Sequence, residues 1–175
     1  MGREKKENAE EKITVKYYAG IGSRKTTPDI LEMMTKIAEG LSRNYILRSG
    51  GAEGADSAFE DGAGKKKIIF IPWRGFNGSK EKCIGISTDA MKMASEFHPA
   101  WHYLSYGARK LQARNCYQVL GEDLKTPVDF IVCWTPGGRE IGGTAQAIRI
   151  AKANHIRVFN LAVEEDYNFW QEKLL

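Results

Sequence analysis

The pattern of apolar and polar positions divides the chain into alternating strands and helices. Apolar residues recur at helical spacing along 28–43, which predicts a helix with one face packed on a sheet. The run 68–72 is continuously apolar and predicts a strand buried on both faces. The other predicted strands are 13–20, 45–48, 128–134 and 156–161, and the other predicted helices are 55–63, 88–97, 103–120, 145–154 and a short one ending at Leu175.

This alternation predicts one α/β domain. Strands that alternate with helices, several of them wholly apolar, are typical of a mostly parallel sheet covered on both faces. We place the domain at 13–175, with no repeat and no internal linker. Residues 1–12 carry four basic and four acidic side chains and are expected to form a flexible charged tail.

Three predicted strand ends run into glycine-rich turns, at 20–24, 49–56 and 136–144. Glycine permits close approach of the backbone, and a helix start favours an anion. In an open parallel sheet, ligands bind outside the carboxyl ends of the strands. Each turn alone is explained by a sharp connection, but three together favour a phosphate-bearing ligand. Neither the dinucleotide-binding nor the NTPase glycine signature is present.

The predicted helix 103–120 adds a polar group to this set. Asn115 lies on the same stripe as apolar residues, and a buried amide needs hydrogen-bond partners. It either bonds a neighbouring turn or faces the ligand crevice, and periodicity does not separate the two. Lys110 and Arg114 form a basic edge, of a kind that more often faces solvent but would also suit a phosphate backbone.

Candidates for catalysis and for metal binding are weak. Glu53 and Glu140 lie in glycine-rich loops and are the only candidates for acid–base chemistry, and nothing in the sequence brings them together. Asp56, near a helix start, is predicted to hold its own turn. His98 and His102 match no compact zinc pattern, so we expect no metal and no cofactor.

Composition limits the class of protein, the charge of its ligands and its expected location. Hydrophobic content of 42% and charged content of 27% are ordinary for a soluble domain. A formal charge of +4 permits an anionic ligand or nucleic acid without requiring one. No apolar run approaches the length of a membrane span, so no membrane association is expected. Three cysteines without paired spacing favour reduced thiols and a cytoplasmic location.

The motifs resemble, in order and spacing, those of the DNA-processing protein A (DprA/Smf) domain of the SLOG superfamily. The matching stretches are 19–24, 49–56, 113–115, 142–144 and 149–151. The resemblance extends over 15–162 and implies a Rossmann-like three-layer α/β/α sandwich. The chain resembles the short single-domain version of this domain, of the kind found in phages, and a viral origin would place the protein in a host cytoplasm. It implies single-stranded DNA binding, a role in DNA processing and recombination, a recombinase partner and a homodimer.

The same resemblance implies which residues border the ligand. Glycine turns would present backbone amides, while serine, threonine, arginine and asparagine would bond the phosphate, the sugar or the base. The expected ligand-binding residues are Gly22, Ser23, Arg24, Ser49, Gly50, Gly51, Arg114, Asn115, Gly138, Gly143 and Thr144.

One turn also leans toward another branch of the superfamily. The stretch 136–144 is similar to the P-G-G-x-G-T signature of the LOG-type nucleotide hydrolases. That signature continues to a glutamate, and here the position is Gln146, which cannot act as a carboxylate. The leading prediction is therefore a protein that binds a nucleotide or single-stranded DNA. The alternatives are an N-glycosidic hydrolase using Glu140 or Glu53, and a sensor or sequestering protein for a small nucleotide-derived signal.

Overall fold

The computed structural model describes residues 13–175, and the predicted tail 1–12 lies outside this part of the chain. The predicted α/β class is confirmed by five strands and six helices in chain order. They are β1 (Tyr17–Gly22), α1 (Pro28–Leu41), β2 (Ile46–Ser49), α2 (Ala55–Ala63), β3 (Lys67–Ile69), α3 (Thr88–Phe97), α4 (Tyr106–Leu120), β4 (Phe130–Trp134), α5 (Gly142–Ala153), β5 (Arg157–Asn160) and α6 (Glu164–Lys173).

The sheet is parallel throughout, with strand order β3-β2-β1-β4-β5. The chain builds outward from β1 to β3 and then returns to the other side of β1 with β4. In the register, Tyr17 lies opposite Ile46 on β2 and Gly22 lies opposite Trp134 on β4. Strand order therefore reverses between β1 and β4, and the carboxyl ends of these strands flank a crevice of the kind that binds ligands in open α/β sheets.

Two apolar cores cover the two faces of the sheet. Ala19 and Ile21 of β1 contribute to the core under α3, α4 and α5. Tyr18, between them, packs instead with α1, α2 and α6, because successive strand side chains point to opposite faces. The predicted three-layer sandwich is thus confirmed. No helix within residues 13–175 is long and apolar enough to cross a membrane.

Two strand predictions need correction. The first strand is Tyr17–Gly22 rather than 13–20, and Ile13 is 92% exposed. The run 68–72 is not a strand buried on both faces, because β3 ends at Ile69 and none of its three residues is buried. Among the described strands, β3 pairs with β2 alone. Ile68 on this edge strand is 39% exposed, and the buried apolar residues of the run lie in the loop that follows.

The helix predicted over 103–120 begins later. Ser105 caps α4 by accepting a hydrogen bond from the backbone nitrogen of Ala108 at 3.2 Å. The preceding residues Trp101–Tyr103 form a separate 3-10 turn, as do Phe76–Gly78 and Pro136–Gly138. The helix α4 therefore begins at Tyr106, three residues later than predicted.

Candidate functional site

A cavity of about 380 Å³ opens at the carboxyl end of β1, where strand order reverses. Its walls come from the turn after β1, the turn before α2, one side of α4 and the first residues of α5. Ligand sites in proteins commonly have volumes of about 300–1,000 Å³. We call this cavity the carboxyl-edge crevice.

The crevice brings together seven of the predicted ligand-binding residues. They are Gly22, Ser23, Arg24, Arg114, Asn115, Gly143 and Thr144. Gly22 is the point where β1 approaches α2, since a Cβ atom there would lie 2.5 Å from the Cβ of Ala55. Sequence motifs from three separate places in the chain therefore converge on one cavity, although contact with a ligand stays a prediction.

The other four predicted residues do not line the crevice. Ser49 is fully buried beneath its turn, where its hydroxyl donates to Oε1 of Glu60 at 2.7 Å. The amide of Gly51 donates to the same oxygen at 2.9 Å. Gly50 and Gly138 are also absent from the wall, and Gly138 lies beside Val163. In this structure the first part of the 49–56 turn supports the crevice from below.

Asp56 holds the second part of that turn, as predicted. Its Oδ2 accepts a hydrogen bond from the backbone nitrogen of Ala52 at 3.2 Å, and both residues line the crevice. Burial raises the pKa of Asp56 to about 7, the Arg114 guanidinium opposes that rise, and the carboxyl of Glu60 adds to it. The crevice therefore contains a carboxyl group that changes its charge near neutral pH.

Arg114 is buried, which corrects the expectation that it forms an exposed basic edge with Lys110. Its guanidinium donates to the carbonyl oxygen of Gly50, and to that of Phe70 at 3.3 Å. A Cβ at Gly50 would lie 2.5 Å from Nη1, so the turn needs glycine at this position. Burial lowers the pKa of Arg114, and the carboxyls of Asp56 and Glu60 counter that effect. Arg114 thus joins α4 to two loops.

Asn115 combines the two roles that the sequence left open. Its amide nitrogen donates to the carbonyl oxygen of Gly143 at 3.0 Å, which ties α4 to the start of α5. Its Oδ1 accepts from Nε of Arg114 at 3.3 Å. The residue also lines the crevice, so the amide both bonds a neighbouring turn and borders the cavity.

Two cationic side chains also line the crevice. Arg24 and Lys25 are exposed on its wall, and their side chains form no hydrogen bond or ion pair with any residue of 13–175. Ser23 accepts a hydrogen bond from the Lys25 amide at 3.0 Å, and its hydroxyl hydrogen stays available to donate. Ser23 and Arg24 belong to the predicted 20–24 motif, and Lys25 is the residue that follows it.

The start of α5 differs from the starts of the other helices described within residues 13–175. Among the six helices of the described chain, α5 alone begins with neither a capping side chain nor an acidic residue in its first turn. The first amides of a helix lack intrahelical partners and carry partial positive charge. Gly142, Gly143 and Thr144 place this helix end on the crevice wall beside Asn115.

The sequence interpretation missed several residues of the site, among them Lys25, Glu60 and Gln118. Glu60 anchors the 49–56 turn from α2, and it lies one helical turn after Asp56, a spacing that would have indicated the same face. Gln118 lines the crevice from α4, one turn beyond Arg114 and Asn115. Gln118 follows Arg114 by four residues, so helical periodicity in the sequence could have placed it on the same side of α4.

The candidates for hydrolysis lie elsewhere. Glu53 and Glu140 are exposed and not on the crevice wall, and Glu140 pairs with Lys152. Gln146 is fully buried, donates to the carbonyl oxygen of Ala94 at 2.9 Å and accepts from Arg149 at 2.8 Å. It therefore links α5 to α3 instead of facing the cavity. Residues 13–175 contain no group of three or more His, Cys, Asp or Glu side chains placed to hold a metal ion.

The fold is a Rossmann-like α/β fold with a crevice at the carboxyl edge of its parallel sheet. The chain is similar to DNA processing protein A (DprA) from Helicobacter pylori, a protein known to bind single-stranded DNA, with a TM-score of 0.57 and 18% identity over 91% of this chain and 73% of that one. DprA from Streptococcus pneumoniae gives a TM-score of 0.54 and 18% identity over 91% of this chain and 57% of that one. The predicted DprA-like fold is confirmed. No protein-family model and no curated protein sequence matches the chain.

Proposed function

We propose that this protein binds single-stranded DNA and holds a backbone phosphate in the carboxyl-edge crevice, with a DprA-like role in DNA processing and recombination. One observation carries the proposal: the unpaired cations Arg24 and Lys25 and the uncapped start of α5 line the same cavity. Backbone amides and cations that converge on one cavity favour phosphate. The similarity of the fold to H. pylori DprA supports DNA as the source of that phosphate.

The rest of the crevice wall is suited to contact the sugar and the base of a nucleotide. Ile21, Phe76, Leu111 and Ile141 contribute apolar surface to the crevice beside its polar groups. Apolar walls with a few placed polar groups are typical of sites that bind small organic ligands. A single nucleotide unit of a DNA strand would thus place its phosphate at α5 and its base against these side chains.

Exposed aromatic residues beyond the crevice favour a polymer over a free nucleotide. Trp73 packs edge-on against Phe76 with ring centroids 5.3 Å apart, which continues the apolar wall outward. At the start of α4, Tyr103 is 92% and Tyr106 is 67% exposed, and Nζ of Lys110 lies 4.7 Å from the Tyr106 ring. Aromatic side chains next to cations are typical of surfaces on which successive bases stack.

The proposed activity is binding without turnover. Asp56 is the carboxylate that lines the crevice among the described residues, and it is bonded to its own turn. Glu53, Glu140 and Gln146 do not reach the cavity. Incubation of the protein with nucleoside monophosphates should release no free base, as followed by chromatography. Release of base would favour the hydrolase alternative.

Fluorescence anisotropy with a labelled oligothymidylate tests the DNA proposal. The affinity should fall steeply between about 50 and 200 mM salt, because DNA binding releases counterions. The double variant Arg24→Ala/Lys25→Ala should bind more weakly, with a slope of log affinity against log salt smaller by about 1.4 if two phosphate contacts are lost.

The matched control is Lys65→Ala/Lys66→Ala, which removes the same charge from two exposed lysines after α2. This control should bind like the wild type. Absence of binding at low salt, or binding insensitive to salt, would contradict the proposal. Tight binding of a free nucleotide with little affinity for DNA would favour the sequestering alternative.

Three further parts of the proposal rest on the resemblance and on composition. We propose a cytoplasmic location because Cys83, Cys116 and Cys133 are free thiols. We propose a homodimer, which sedimentation equilibrium would check, and a monomer at all accessible concentrations would contradict it. We propose a recombinase partner, for which the test is faster filament assembly on DNA in the presence of the protein.

A further inference from the structure

A buried amide in the crevice has no hydrogen-bond partner among residues 13–175. Gln118 is 1% exposed, less than any other crevice residue of α4, and it lines the cavity. It follows Arg114 by four positions and Asn115 by three, so the three side chains share one side of the helix. Gln118 thus lies further into the protein than the two polar residues that the sequence motif contains.

Both polar atoms of this amide are unsatisfied. Neither Oε1 nor Nε2 of Gln118 forms a hydrogen bond with any residue of 13–175, and both atoms are buried. Two other buried amides are bonded: Asn115 donates to Gly143, and Gln146 bonds both Ala94 and Arg149. On the same crevice wall, Oε1 of the half-buried Gln112 also has no partner among residues 13–175, but Gln118 is the crevice amide with both polar atoms unpartnered. A buried polar group without a partner costs free energy, whereas an apolar side chain of the same size would not. The amide therefore points to a partner that occupies the crevice.

We propose that Gln118 hydrogen-bonds the edge of an unpaired nucleobase in the carboxyl-edge crevice. This inference rests on the proposed function and adds the base to it. A glutamine amide presents one acceptor and a donor side by side in one plane. Nucleobase edges carry the complementary pair, such as the exocyclic amine and ring nitrogen of adenine, and glutamine pairs with adenine in this way.

The position of Gln118 sets which nucleic acid can reach it. The cations Arg24 and Lys25 are exposed at the crevice, whereas Gln118 is almost completely covered. A phosphate held by the cations and by α5 would leave the base to enter between the apolar side chains of Ile21 and Leu111. Only a base that is free of its complementary strand can enter in this way, so the crevice would exclude duplex DNA.

The test compares Gln118→Met with the wild type on two oligonucleotides. Methionine has a similar length and no amide. The variant should bind an ordinary single-stranded oligonucleotide roughly ten-fold more weakly, as expected for loss of one bidentate base contact. On an abasic oligonucleotide of the same length, the variant and the wild type should bind equally. Its midpoint of thermal unfolding should be unchanged or higher, because no protein hydrogen bond is lost.

The matched control is Gln171→Met, which changes an exposed glutamine on α6, on the other face of the sheet. This control should bind both oligonucleotides like the wild type. Equal affinity of Gln118→Met and wild type for the ordinary oligonucleotide would overturn the proposal. A lower unfolding midpoint with equal losses on both oligonucleotides would also overturn it, since the amide would then bond trapped water within the fold.

The wild type alone provides a second measurement that does not depend on the folding of a variant. It should bind the ordinary oligonucleotide more tightly than the abasic one. Equal affinity for both would contradict the role of Gln118 and leave the phosphate site standing. Failure to bind either oligonucleotide would contradict the proposed function itself, and the inference with it.

Discussion

Arg114 joins three parts of the chain through one side chain. Its guanidinium bonds the carbonyl oxygens of Gly50 and Phe70 and lies near the carboxyl of Asp56. Arg24, in the same crevice, has no protein partner within residues 13–175. Two arginines that both belong to predicted ligand motifs therefore differ in what their loss would do to the fold.

Arg114→Ala should lower the free energy of unfolding by about 3–5 kcal/mol, because it leaves buried carbonyl oxygens and a carboxyl without their cation. Arg24→Ala should change it by less than about 0.5 kcal/mol, as is usual for exposed positions. Urea unfolding of both variants checks this. An Arg114→Ala variant as stable as Arg24→Ala would contradict the structural role given to Arg114.

The raised pKa of Asp56 predicts a pH dependence of stability. The pKa rises from an ordinary 3.8 to about 7 on folding, so the folded state keeps a proton that the unfolded state has lost between these values. The stability that Asp56 contributes is therefore present below about pH 4, and it is lost as the pH rises toward 7, by up to about 4 kcal/mol.

Asp56→Asn removes the titration of this carboxyl group. Glu60, whose pKa is also raised by burial, still titrates in the variant. Between pH 4 and pH 8, the free energy of unfolding of the wild type should therefore fall relative to that of Asp56→Asn. The wild type should also bind single-stranded DNA more tightly at pH 6 than at pH 8, because protonated Asp56 does not repel phosphate. A difference between the two proteins that is flat in pH would refute the assignment.

Among the helices, α5 is the one whose start differs. Ser87 and Ser105 cap α3 and α4, and acidic residues occupy the first turns of α1, α2 and α6. In α5 the first turn holds Gly142 and Gly143 instead, beside the crevice. The helix α5 thus lacks a stabilising group that the other described helices have at their starts. An external anion would supply such a group.

Gly143→Asp should place a carboxylate at this helix start and compete with the ligand. A Cβ atom at Gly143 would have no neighbour within 4 Å, so the side chain is accommodated. The folded state should gain about 0.5 kcal/mol from the helix dipole, whereas affinity for single-stranded DNA should fall roughly ten-fold or more from charge repulsion. Gly143→Asn, of the same shape without the charge, is the control. Equal binding by the two variants would contradict a phosphate at α5.

Across the protein, the crevice depends on elements from both cores. Its walls include β1 and the start of α2 on one side and α4 and α5 on the other. A ligand that binds only when these elements are assembled stabilises the folded state as a whole. Binding should thus be measurable in global unfolding as well as at the site.

An oligothymidylate at about 100 times its dissociation constant should stabilise the protein by about 2.7 kcal/mol. For a domain of this size that corresponds to roughly 5–10 °C in the midpoint of thermal unfolding. The shift should shrink with added salt and be lost in Arg24→Ala/Lys25→Ala, while Lys65→Ala/Lys66→Ala should retain it. A shift of the same size in high salt would indicate a contact other than phosphate.

Much of the architecture could be predicted because it follows from local pattern. The alternation of apolar strands with amphipathic helices predicts the parallel sheet and its two covered faces. The three glycine-rich turns lie at strand ends, and parallel strands bring their carboxyl ends to one edge, so the crevice was predictable in outline. The motif around Ser23 and Arg24 lies on its wall, as does Asn115.

The local sequence pattern determines neither the order of the strands in the sheet nor how deeply a residue is buried. Whether the run 68–72 is central or at an edge depends on which strands pair, and β3 has one neighbour only. Ser49 and Gly51 look like ligand groups in the sequence, yet Glu60 from the following helix occupies their hydrogen bonds. Contacts between positions far apart in the chain decide these cases, and no periodicity reports them.

The sequence by itself thus determines a parallel sheet covered on both faces, with glycine turns suited to an anion. It can do so because the periodicity of apolar residues and the residue types of turns are local properties. Tertiary packing decides which polar groups remain available at that edge. It buries Arg114 in hydrogen bonds with the backbone. Within residues 13–175 it leaves the side chains of Arg24 and Lys25 unpaired and the buried amide of Gln118 without a partner. The reason is physical: a side chain is available to a ligand only when the folded protein has not already satisfied it.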